Sequence, residues 1–590
     1  MAIVSAIQPA VSEALSKLYG VTVKEAEVLV NETKPEFEGD YTVVLFSFVK
    51  SLKKSPEVLG KELGEELLQS RPDLFSSFNI IKGFLNLSVK DSYWISFLRE
   101  NYSNTNYGKQ TAKNKKVMVE YSSPNTNKPL HLGHLRNNFL GWSIAEIFRQ
   151  SGYEVVKTCI ANDRGIHICK SMIAWQLFAN GATPESTGIK GDHLVGDYYV
   201  MFGNELKKQV EELVAKGLSK EEAEKQAPIM KAAQQMLVDW EAGKPEVIEL
   251  WKKMNSWVYA GFAETYKRIG SDFDKTYYES DTYLLGKEMV EKGLEKGVFE
   301  QEADGSVWID LTADGLDRKI VRRRDGTAVY ITQDIGLAEL KQKEFGCDLS
   351  IYVVGDEQNY HFKVLKLICQ KLGLPSADGI YHLSYGMVEL PTGRMKTREG
   401  TVVDADDIID EMEKISAQHT EELGKVKDFS TAELKKLYHT IGMGALKFFL
   451  LRVDPKKKMV FNPEESIDFH GFTGPFIQYT YARIKSILRK EKANASADNA
   501  PLLPLEKSLL VTLEQFPVII EEACREMNPG VIANYAFHLA KKYNSFYTEH
   551  SVMNAETAGK KNLRLQLCEL VAHCLRQNMQ MLGIDVPERM

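Results

Sequence analysis

The stretch Val119-Glu-Tyr-Ser-Ser-Pro-Asn-Thr-Asn-Lys-Pro-Leu-His-Leu-Gly-His134 decides the fold of this chain. It begins inside an apolar run, residues 116–121, that is typical of a buried parallel strand. A loop containing two prolines follows, and residues 135–150 then show the pattern of a helix. The segment therefore predicts a strand–loop–helix unit, as found in α/β proteins with a parallel sheet.

Two histidines flank a glycine where this helix begins. A helix N-terminus presents unpaired N–H groups and the positive end of the helix dipole, which suits an anion such as a triphosphate. His131 and His134 can add hydrogen-bond donors to the same anion. Gly133 has no side chain, so a flat group such as adenine could approach the backbone there. The pattern predicts a nucleotide site, although a capping or core histidine is the alternative for His131 alone.

Outward from this segment, strands and helices alternate. Strand 154–160 precedes helix 166–180, as in a doubly wound sheet. Long charged helical patterns without strands follow from about residue 185, including a helix over 220–241, and we expect a helical insertion over about 185–290. Strand patterns return afterwards, at Ser306–Leu311, Ala328–Thr332 and Leu349–Val354.

A chain of 590 residues is too long for a single core, so several domains are expected. Residues 1–112 combine one or two helices with strand-like runs, among them 41–49, and predict an N-terminal α/β domain. Residues 113–435 contain the alternating strands and helices of the sheet domain. Residues 436–590 have helical patterns throughout and predict an all-α domain.

Composition excludes several protein classes. The hydrophobic content of 44% and charged content of 26% are those of an ordinary soluble globular protein. No apolar stretch is long enough to cross a bilayer and no basic leader precedes the first helix, so we expect a cytoplasmic protein without membrane contact. The seven cysteines form no C-x-x-C pair, which predicts reduced thiols and no structural zinc.

The net charge of −7 means that a polyanion would have to bind a local basic surface. The C-terminal region offers several basic clusters, for each of which a solvated charged face is the alternative. These clusters are Lys456–Lys458, the cations between 483 and 492, Lys541–Lys542 and Lys560–Lys561.

A second motif, Gly393-Arg-Met-Lys-Thr-Arg-Glu-Gly400, lies late in the sheet domain. With the first motif it resembles the HIGH and KMSKS signatures of class I aminoacyl-tRNA synthetases. Further stretches resemble arginyl-tRNA synthetases in particular, and the resemblance covers the whole chain. These stretches are 120–125, 330–334, 474–483 and 587–590.

The resemblance implies a Rossmann-type catalytic domain with a helical insertion, an N-terminal domain that touches the tRNA elbow, and a C-terminal anticodon-binding domain. It implies that arginine is activated with ATP, carried as its Mg²⁺ complex, and is then transferred to tRNA(Arg). It further implies a monomer, and an activation step that requires bound tRNA. The alternatives are another class I synthetase or a non-catalytic tRNA-binding paralogue. Both motif histidines and the acids named below are those of an active arginine enzyme.

By resemblance, His131, His134 and Lys128 would act on the ATP phosphates through electrostatic positioning. Where KMSKS has its second lysine, this chain has the uncharged Thr397, and Lys128 occupies the position thought to compensate. A mobile surface loop is the alternative for Lys396 and its neighbours. The remaining ATP contacts implied are Gly133, His361, Met395, Lys396, Thr397 and Arg398.

Selecting arginine requires acceptors that match a planar guanidinium, and carboxylates do so bidentately. The resemblance places Glu120 and Asp334 in that role, Tyr330 as a wall, and Asn125 and Gln358 at the amino-acid end. A helix N-cap is the alternative for Asp334. Such a site rejects lysine or citrulline by roughly 10⁴–10⁵, because buried polar groups are left unpaired, so no editing domain is expected.

RNA contacts are predicted on two domains. Tyr479 and Arg483 are four residues apart and share a helix face with Phe476, so they could stack on bases and neutralise phosphate, although a buried core face is the alternative. In the N-terminal domain the resemblance implies that Phe84 and Asn86 contact the tRNA.

One stretch departs from the family. Residues 162–165 read Asn-Asp-Arg-Gly where Gly-Asp-Trp-Gly is frequent, and His167 stands where a glutamine is frequent. Asp163 and Gly165 keep the pattern, whereas Arg164 replaces the aromatic residue, so the packing beside the active site should differ.

Overall fold

The computed structural model describes residues 3–34, 36–327, 329–391, 403–422, 426, 428–495 and 501–590. The N-terminal unit is a four-stranded antiparallel sheet with strand order β1–β2–β4–β3 and helices packed on it. The predicted strand over 41–49 ends at Val44, where a helix takes over. The elements are α1 (Val4–Tyr19), β1 (Val30–Glu32), β2 (Tyr41–Val44), α2 (Phe46–Leu52), α3 (Pro56–Ser70), β3 (Phe75–Ile81), β4 (Phe84–Val89) and α4 (Asp91–Asn101).

The predicted strand–loop–helix unit opens the second domain, and a helical insertion follows it. The first elements are β5 (Lys116–Glu120), α5 (Leu132–Gln150), β6 (Glu154–Ala161) and α6 (Ile166–Phe178). The insertion comprises α7 (Pro184–Thr187), α8 (Gly191–Ala215), α9 (Lys220–Gln226), α10 (Pro228–Glu241) and α11 (Pro245–Ile269). The single helix predicted over 220–241 is wrong, because Pro228 cannot continue α9 and instead starts α10.

The chain then returns to the sheet. The next elements are β7 (Lys275–Tyr278), α12 (Glu279–Thr282), α13 (Gly286–Glu295), β8 (Glu300–Gln301), β9 (Val307–Ile309), β10 (Lys319–Arg322), α14 (Tyr330–Phe345), β11 (Leu349–Gly355), α15 (Asn359–Lys371), β12 (Ile380–Tyr385) and β13 (Val388–Glu389). The strand predicted over Ala328–Thr332 is wrong, since α14 starts at Tyr330. Ile331 and Ile335 are buried one helical turn apart, a spacing that a short β-branched run did not reveal.

The central sheet is parallel throughout, with strand order β12–β11–β5–β6–β7. Its carboxyl-terminal edge collects the loops that follow β5, β6, β7 and β11, and ligands bind at this edge in open α/β sheets. Helix α5 packs closely on the end of β5, because a Cβ on Gly141 would lie 2.3 Å from the Tyr121 side chain. The predicted Rossmann-type fold is confirmed.

The C-terminal part is helical apart from β14 (Met459–Val460), which pairs with β13. The predicted boundary at 435–436 falls inside α17, a helix that packs on both α16 and α19. Among the described residues, no helix is both long enough and apolar enough to cross a bilayer. The helices are α16 (Ala405–Glu422), α17 (Thr431–Leu451), α18 (Pro463–Ser466), α19 (Gly474–Leu488), α20 (Pro504–Glu514), α21 (Phe516–Glu526), α22 (Pro529–Glu549) and α23 (Ala558–Met581).

Candidate active site

Helix α5 begins with a cap built from two histidines. Nδ1 of His131 accepts a hydrogen bond from the Gly133 N–H at 3.1 Å, and Nδ1 of His134 accepts one from the His131 N–H at 3.1 Å. The two ring centroids lie 3.9 Å apart. Because each Nδ1 is an acceptor, each neutral ring carries its proton on Nε2. The structure therefore brings the predicted pair together, with two Nε2–H donors at one helix N-terminus.

Both histidines are held neutral. Burial and, to a smaller extent, the charge of Lys128 lower the pKa of His131 to about 4, although Asp404 opposes them. Burial, the neighbouring His131 and Lys128 hold the pKa of His134 well below its ordinary value. Burial also lowers the pKa of Lys128. Near neutral pH the pair acts through hydrogen bonds, while Lys128 is the adjacent cation.

A cavity of about 560 Å³ opens beside the histidines, between the start of α5 and helix α8. Lys128, His131, His193 and Asp404 are among its lining residues. At Gly133, a Cβ would lie 3.0 Å from the His131 ring, so glycine lets that ring fold over the helix start. The predicted ATP contacts Met395, Lys396, Thr397 and Arg398 lie outside the described residues.

A second pocket, of about 470 Å³, lies at the carboxyl-terminal edge of the sheet. We call it the acidic pocket. It brings together four of the five residues predicted to bind arginine, and His361 joins them. Nε2 of His361 lies 2.6 Å from Oδ2 of Asp334. Asp334 lies within α14 rather than capping it, since the helix begins four residues earlier. The four residues are Asn125, Tyr330, Asp334 and Gln358.

The fifth residue, Glu120, is buried below the sheet edge and is already paired. Its carboxylate accepts hydrogen bonds from the Lys341 ammonium and, at 3.3 Å, from the Thr158 hydroxyl. The Lys341 side chain is only 2% exposed. Lys341 lies seven residues after Asp334 on α14, a spacing that puts both on one helix face and could have indicated the pair in the sequence.

Glu279, which was not predicted, supplies a second carboxyl group to the acidic pocket. It follows β7 directly, a position at the sheet edge that could have indicated it. Among the described residues, its carboxyl group has no hydrogen-bond partner. The pKa of Glu279 is raised to about 7, mainly by burial; Arg164 opposes the rise, and Asp163 and Asp334 add to it.

The unusual stretch 162–165 forms one wall of this pocket. The Asp163 carboxylate accepts hydrogen bonds from the Tyr259 hydroxyl at 2.8 Å and from the Ser280 N–H at 2.9 Å. It thereby ties the insertion to the sheet edge. Gly165 has φ near +100°, a backbone conformation that favours glycine, and starts α6.

A charged cluster lies next to the histidine cavity. Asp192, His193 and Asp406 place potential metal ligands within 4.8 Å of one another. The cluster is already neutralised, because Lys190 contacts Asp192 at 3.1 Å and Asp406 at 2.7 Å, and Arg268 contacts Asp406 at 3.2 Å. This network ties α8 and α11 to α16. The seven cysteines are buried free thiols.

The C-terminal domain contains a basic groove of about 710 Å³ lined by Tyr479, Arg483, Arg489 and Lys490 among others. The Arg483 guanidinium lies 5.0 Å from each of the ring centroids of Tyr479 and Tyr547. Phe476 does not line this groove. Its ring instead packs against Phe537, with centroids 5.2 Å apart.

The two residues of the N-terminal domain that were predicted to contact tRNA lie in different environments. Phe84 is half-buried and meets Phe46 edge to face at 5.3 Å, and Phe46 is 50% exposed. Asn86 is only 1% exposed. Its side chain accepts a hydrogen bond from the Thr42 hydroxyl at 2.6 Å and donates one to Asn79 at 2.8 Å.

Comparison with known proteins matches all three regions. Residues 98–462 match the family described as tRNA synthetases class I (R), catalytic domain. Residues 477–590 match the DALR anticodon binding domain, and residues 5–89 match the arginyl tRNA synthetase N terminal domain.

Similar proteins cover the chain from end to end. The arginine–tRNA ligase of Flavobacterium psychrophilum is 52% identical over 605 residues and covers 100% of both chains. That of Bacteroides thetaiotaomicron is 53% identical over 584 residues and covers 98% of each. The Thermus thermophilus arginyl-tRNA synthetase structure superposes with a TM-score of 0.80 at 25% identity, over 99% of this chain and 100% of that one. The sequence-based assignment is confirmed: this chain belongs to the arginyl-tRNA synthetase family of class I aminoacyl-tRNA synthetases.

Proposed function

We propose that this protein is an arginine–tRNA ligase acting as a monomer in the cytoplasm. The arginine carboxylate attacks the α-phosphate of ATP, giving arginyl-adenylate and pyrophosphate. A hydroxyl of the 3′-terminal ribose of tRNA(Arg) then takes the arginyl group and releases AMP. The observation that carries the proposal is the acidic pocket, which lies at the same sheet edge as the histidine-capped start of α5. The arginine–tRNA ligases that match this chain over its full length support it.

In the acidic pocket, a guanidinium would meet Asp334 and Glu279, two carboxyl groups that suit its planar set of donors. Tyr330 forms an outer wall and is 74% exposed. Asn125 and Gln358, at the rim, would hold the amino-acid end. We assign Glu120 a supporting role, since its pairing with Lys341 fixes the position of α14 beneath Asp334.

ATP enters as its Mg²⁺ complex, in which phosphate oxygens supply ligands to the metal. The Nε2–H groups of His131 and His134 and the N-terminus of α5 would donate to the phosphates, and Lys128 would offset their charge. These groups favour the transition state because charge develops on the leaving pyrophosphate. We place Gly133 and His361 at the nucleotide. By the family resemblance we also assign ATP contacts to Met395, Lys396, Thr397 and Arg398, which lie outside the described residues.

We assign chemistry to the sheet domain with its insertion, anticodon binding to the C-terminal helical domain and contact with the tRNA elbow to the N-terminal domain. In the basic groove, Tyr479 can stack on an unpaired base while Arg483 meets a phosphate. Phe476, whose ring packs on Phe537, would hold α19 against α22. In the N-terminal domain, Phe84 would make the contact and Asn86 would hold its strand in place.

Arginine-dependent ATP–pyrophosphate exchange, measured with and without tRNA(Arg), tests the proposal. We expect exchange only when tRNA is present. Exchange without tRNA would keep the enzyme assignment and reject the requirement for tRNA. A folded protein that binds tRNA but supports no exchange would favour the non-catalytic paralogue. Exchange driven by another amino acid would identify a different class I synthetase.

A further inference from the structure

Arg164 lies between the helical insertion and the acidic pocket, whose wall it helps to form. Its guanidinium lies 4.1 Å from the Tyr283 ring centroid and 5.2 Å from that of Trp240. Nη2 donates to Glu241 at 2.9 Å, and the Arg164 side chain is only 11% exposed. Its Nε is buried without a hydrogen-bond partner among the described residues. A resident guanidinium is therefore fixed at the edge of a pocket built for another one.

Three charged groups act on Glu279. Arg164 and Asp163 approach from the loop after β6, and Asp334 approaches from α14. Asp334 is in turn paired with His361, and the rim residue His167 lies 3.0 Å from the Tyr199 hydroxyl. Asp163 is committed to Tyr259 and Ser280. Arg164 is thus the one cation that acts directly on Glu279 among these groups when the histidines are neutral.

We propose that Arg164 is a specificity-determining positioning residue, whose fixed guanidinium shares the acidic pocket with Glu279 and favours the carboxylate that selects a guanidinium. The inference rests on the proposed function. Glu241 and the two aromatic rings hold the Arg164 charge at the wall, so that the substrate does not compete with it for space.

Loss of the Arg164 charge has a defined chemical consequence. Without this charge the pKa of Glu279 rises above about 7, because Arg164 opposes the effect of burial. A protonated Glu279 donates a hydrogen bond through its O–H group. The guanidinium of arginine has no atom that accepts this bond, whereas the ureido oxygen of citrulline does. Removing the charge should therefore weaken arginine binding and narrow the discrimination against citrulline.

Arginine-dependent exchange with saturating tRNA, measured from pH 6 to 9, tests the inference on the full-length enzyme. In the wild type, the KM for arginine should fall as pH rises through about 7, since Glu279 binds as a carboxylate. For Arg164→Gln we expect KM to rise roughly fivefold at pH 7, the change in ionised fraction when a pKa moves up by one unit, with kcat nearly unchanged. The KM difference should close by pH 9. Arg164→Lys, which keeps the charge, should restore the wild-type pH profile.

Two further variants separate the electrostatic role from folding. Glu279→Gln should flatten the KM profile near pH 7, and adding Arg164→Gln to it should cause little further loss. Lys244→Gln is the matched control, because it removes a cation of the insertion that pairs with Asp239 at 2.8 Å. Equal KM losses at every pH, or a fall in kcat alone, would overturn the inference. So would citrulline inhibition that does not change relative to arginine. A wild-type enzyme without arginine-dependent exchange would instead refute the proposed function.

Discussion

The acidic pocket and the basic groove both use charged side chains, but in opposite settings. Below the sheet edge, Glu120 is buried and paired with Lys341, whose side chain is also buried. In the groove, Arg483 rests between two tyrosine rings, and its neighbours Arg489 and Lys490 are exposed to solvent. Charges in a low dielectric depend on their partners, whereas exposed charges depend on the salt around them.

This difference indicates how each region selects its ligand. Under the proposed function, the acidic pocket would discriminate by leaving buried groups unpaired when the wrong amino acid enters, so its selectivity would require rigid surroundings. The groove would gain affinity for tRNA by neutralising phosphates and stacking on bases, and so would need open, adaptable contacts. Mutations should therefore affect stability and chemistry at the sheet edge, and salt-dependent tRNA affinity in the groove.

Removing Lys341 should have the largest effect. Lys341→Met leaves Glu120 buried without its cation, which costs about 3–5 kcal/mol of stability in buried pairs of this kind. Denaturant unfolding of the catalytic domain would measure the loss. The double variant Lys341→Met/Glu120→Gln should recover part of it, because no buried charge remains. A loss below about 1 kcal/mol for the single variant would mean that the pair behaves like a surface ion pair.

His134→Ala should have the second largest effect, and this effect should be on the rate of exchange. Losing one Nε2–H donor to the phosphates should lower kcat for exchange by about 10²–10³, with the KM for arginine little changed. His134→Gln keeps an N–H donor and should retain more activity. Since the pKa values of both histidines lie well below neutrality, neither group should change the rate between pH 6 and 8. An acidic limb near pH 6.5 that disappears in His134→Gln would contradict this.

Sequence reasoning predicted best those features of the site that depend only on residues close together in the chain. The histidine cap depends on four consecutive residues and a helix start, so its geometry follows from local rules. The partners of Glu120 come from distant elements, and the side of α14 that holds Lys341 became clear only once the helix was known to start at Tyr330. The predicted strand at that position concealed this face. Glu279 was missed because its position in the pocket depends on the order of the strands in the sheet.

The N-terminal strand β4 shows the same limit. Phe84 and Asn86 are two residues apart and point to one face of the sheet, so alternation alone treats them alike. The register, however, places Asn86 between Thr42 and Asn79 on the flanking strands, where its amide is enclosed. Phe84 lies at the start of the strand, beside the exposed Phe46. Cross-strand neighbours, which a single sequence does not reveal, decide between surface and interior.

Asn86→Ala should therefore act on stability rather than directly on RNA contact. The change leaves the Thr42 hydroxyl and the Asn79 amide without their shared partner, at a cost of about 1–3 kcal/mol. Thermal unfolding of the N-terminal domain would report the loss. The KM for tRNA, measured well below the unfolding temperature, should stay within about twofold of the wild type. Phe84→Ala is the companion variant, in which tRNA affinity should fall by more than stability does. If Asn86→Ala instead lowered tRNA affinity by more than stability, Asn86 would be assigned a direct contact with RNA.

Arg483→Ala should give the smallest effect and the clearest dependence on salt. Removing one cation that meets a phosphate should raise the KM for tRNA about tenfold in low salt, roughly 1.4 kcal/mol, and reduce the slope of log affinity against log salt by about 0.7–0.9. The kcat of exchange at saturating tRNA should not change, because the groove and the acidic pocket share no lining residue. Lys343→Ala, an exposed lysine on α14, is the control and should leave the slope unaltered. A salt-independent loss of affinity would mean that Arg483 acts by packing between Tyr479 and Tyr547, and the groove would then share the rules of the buried pocket.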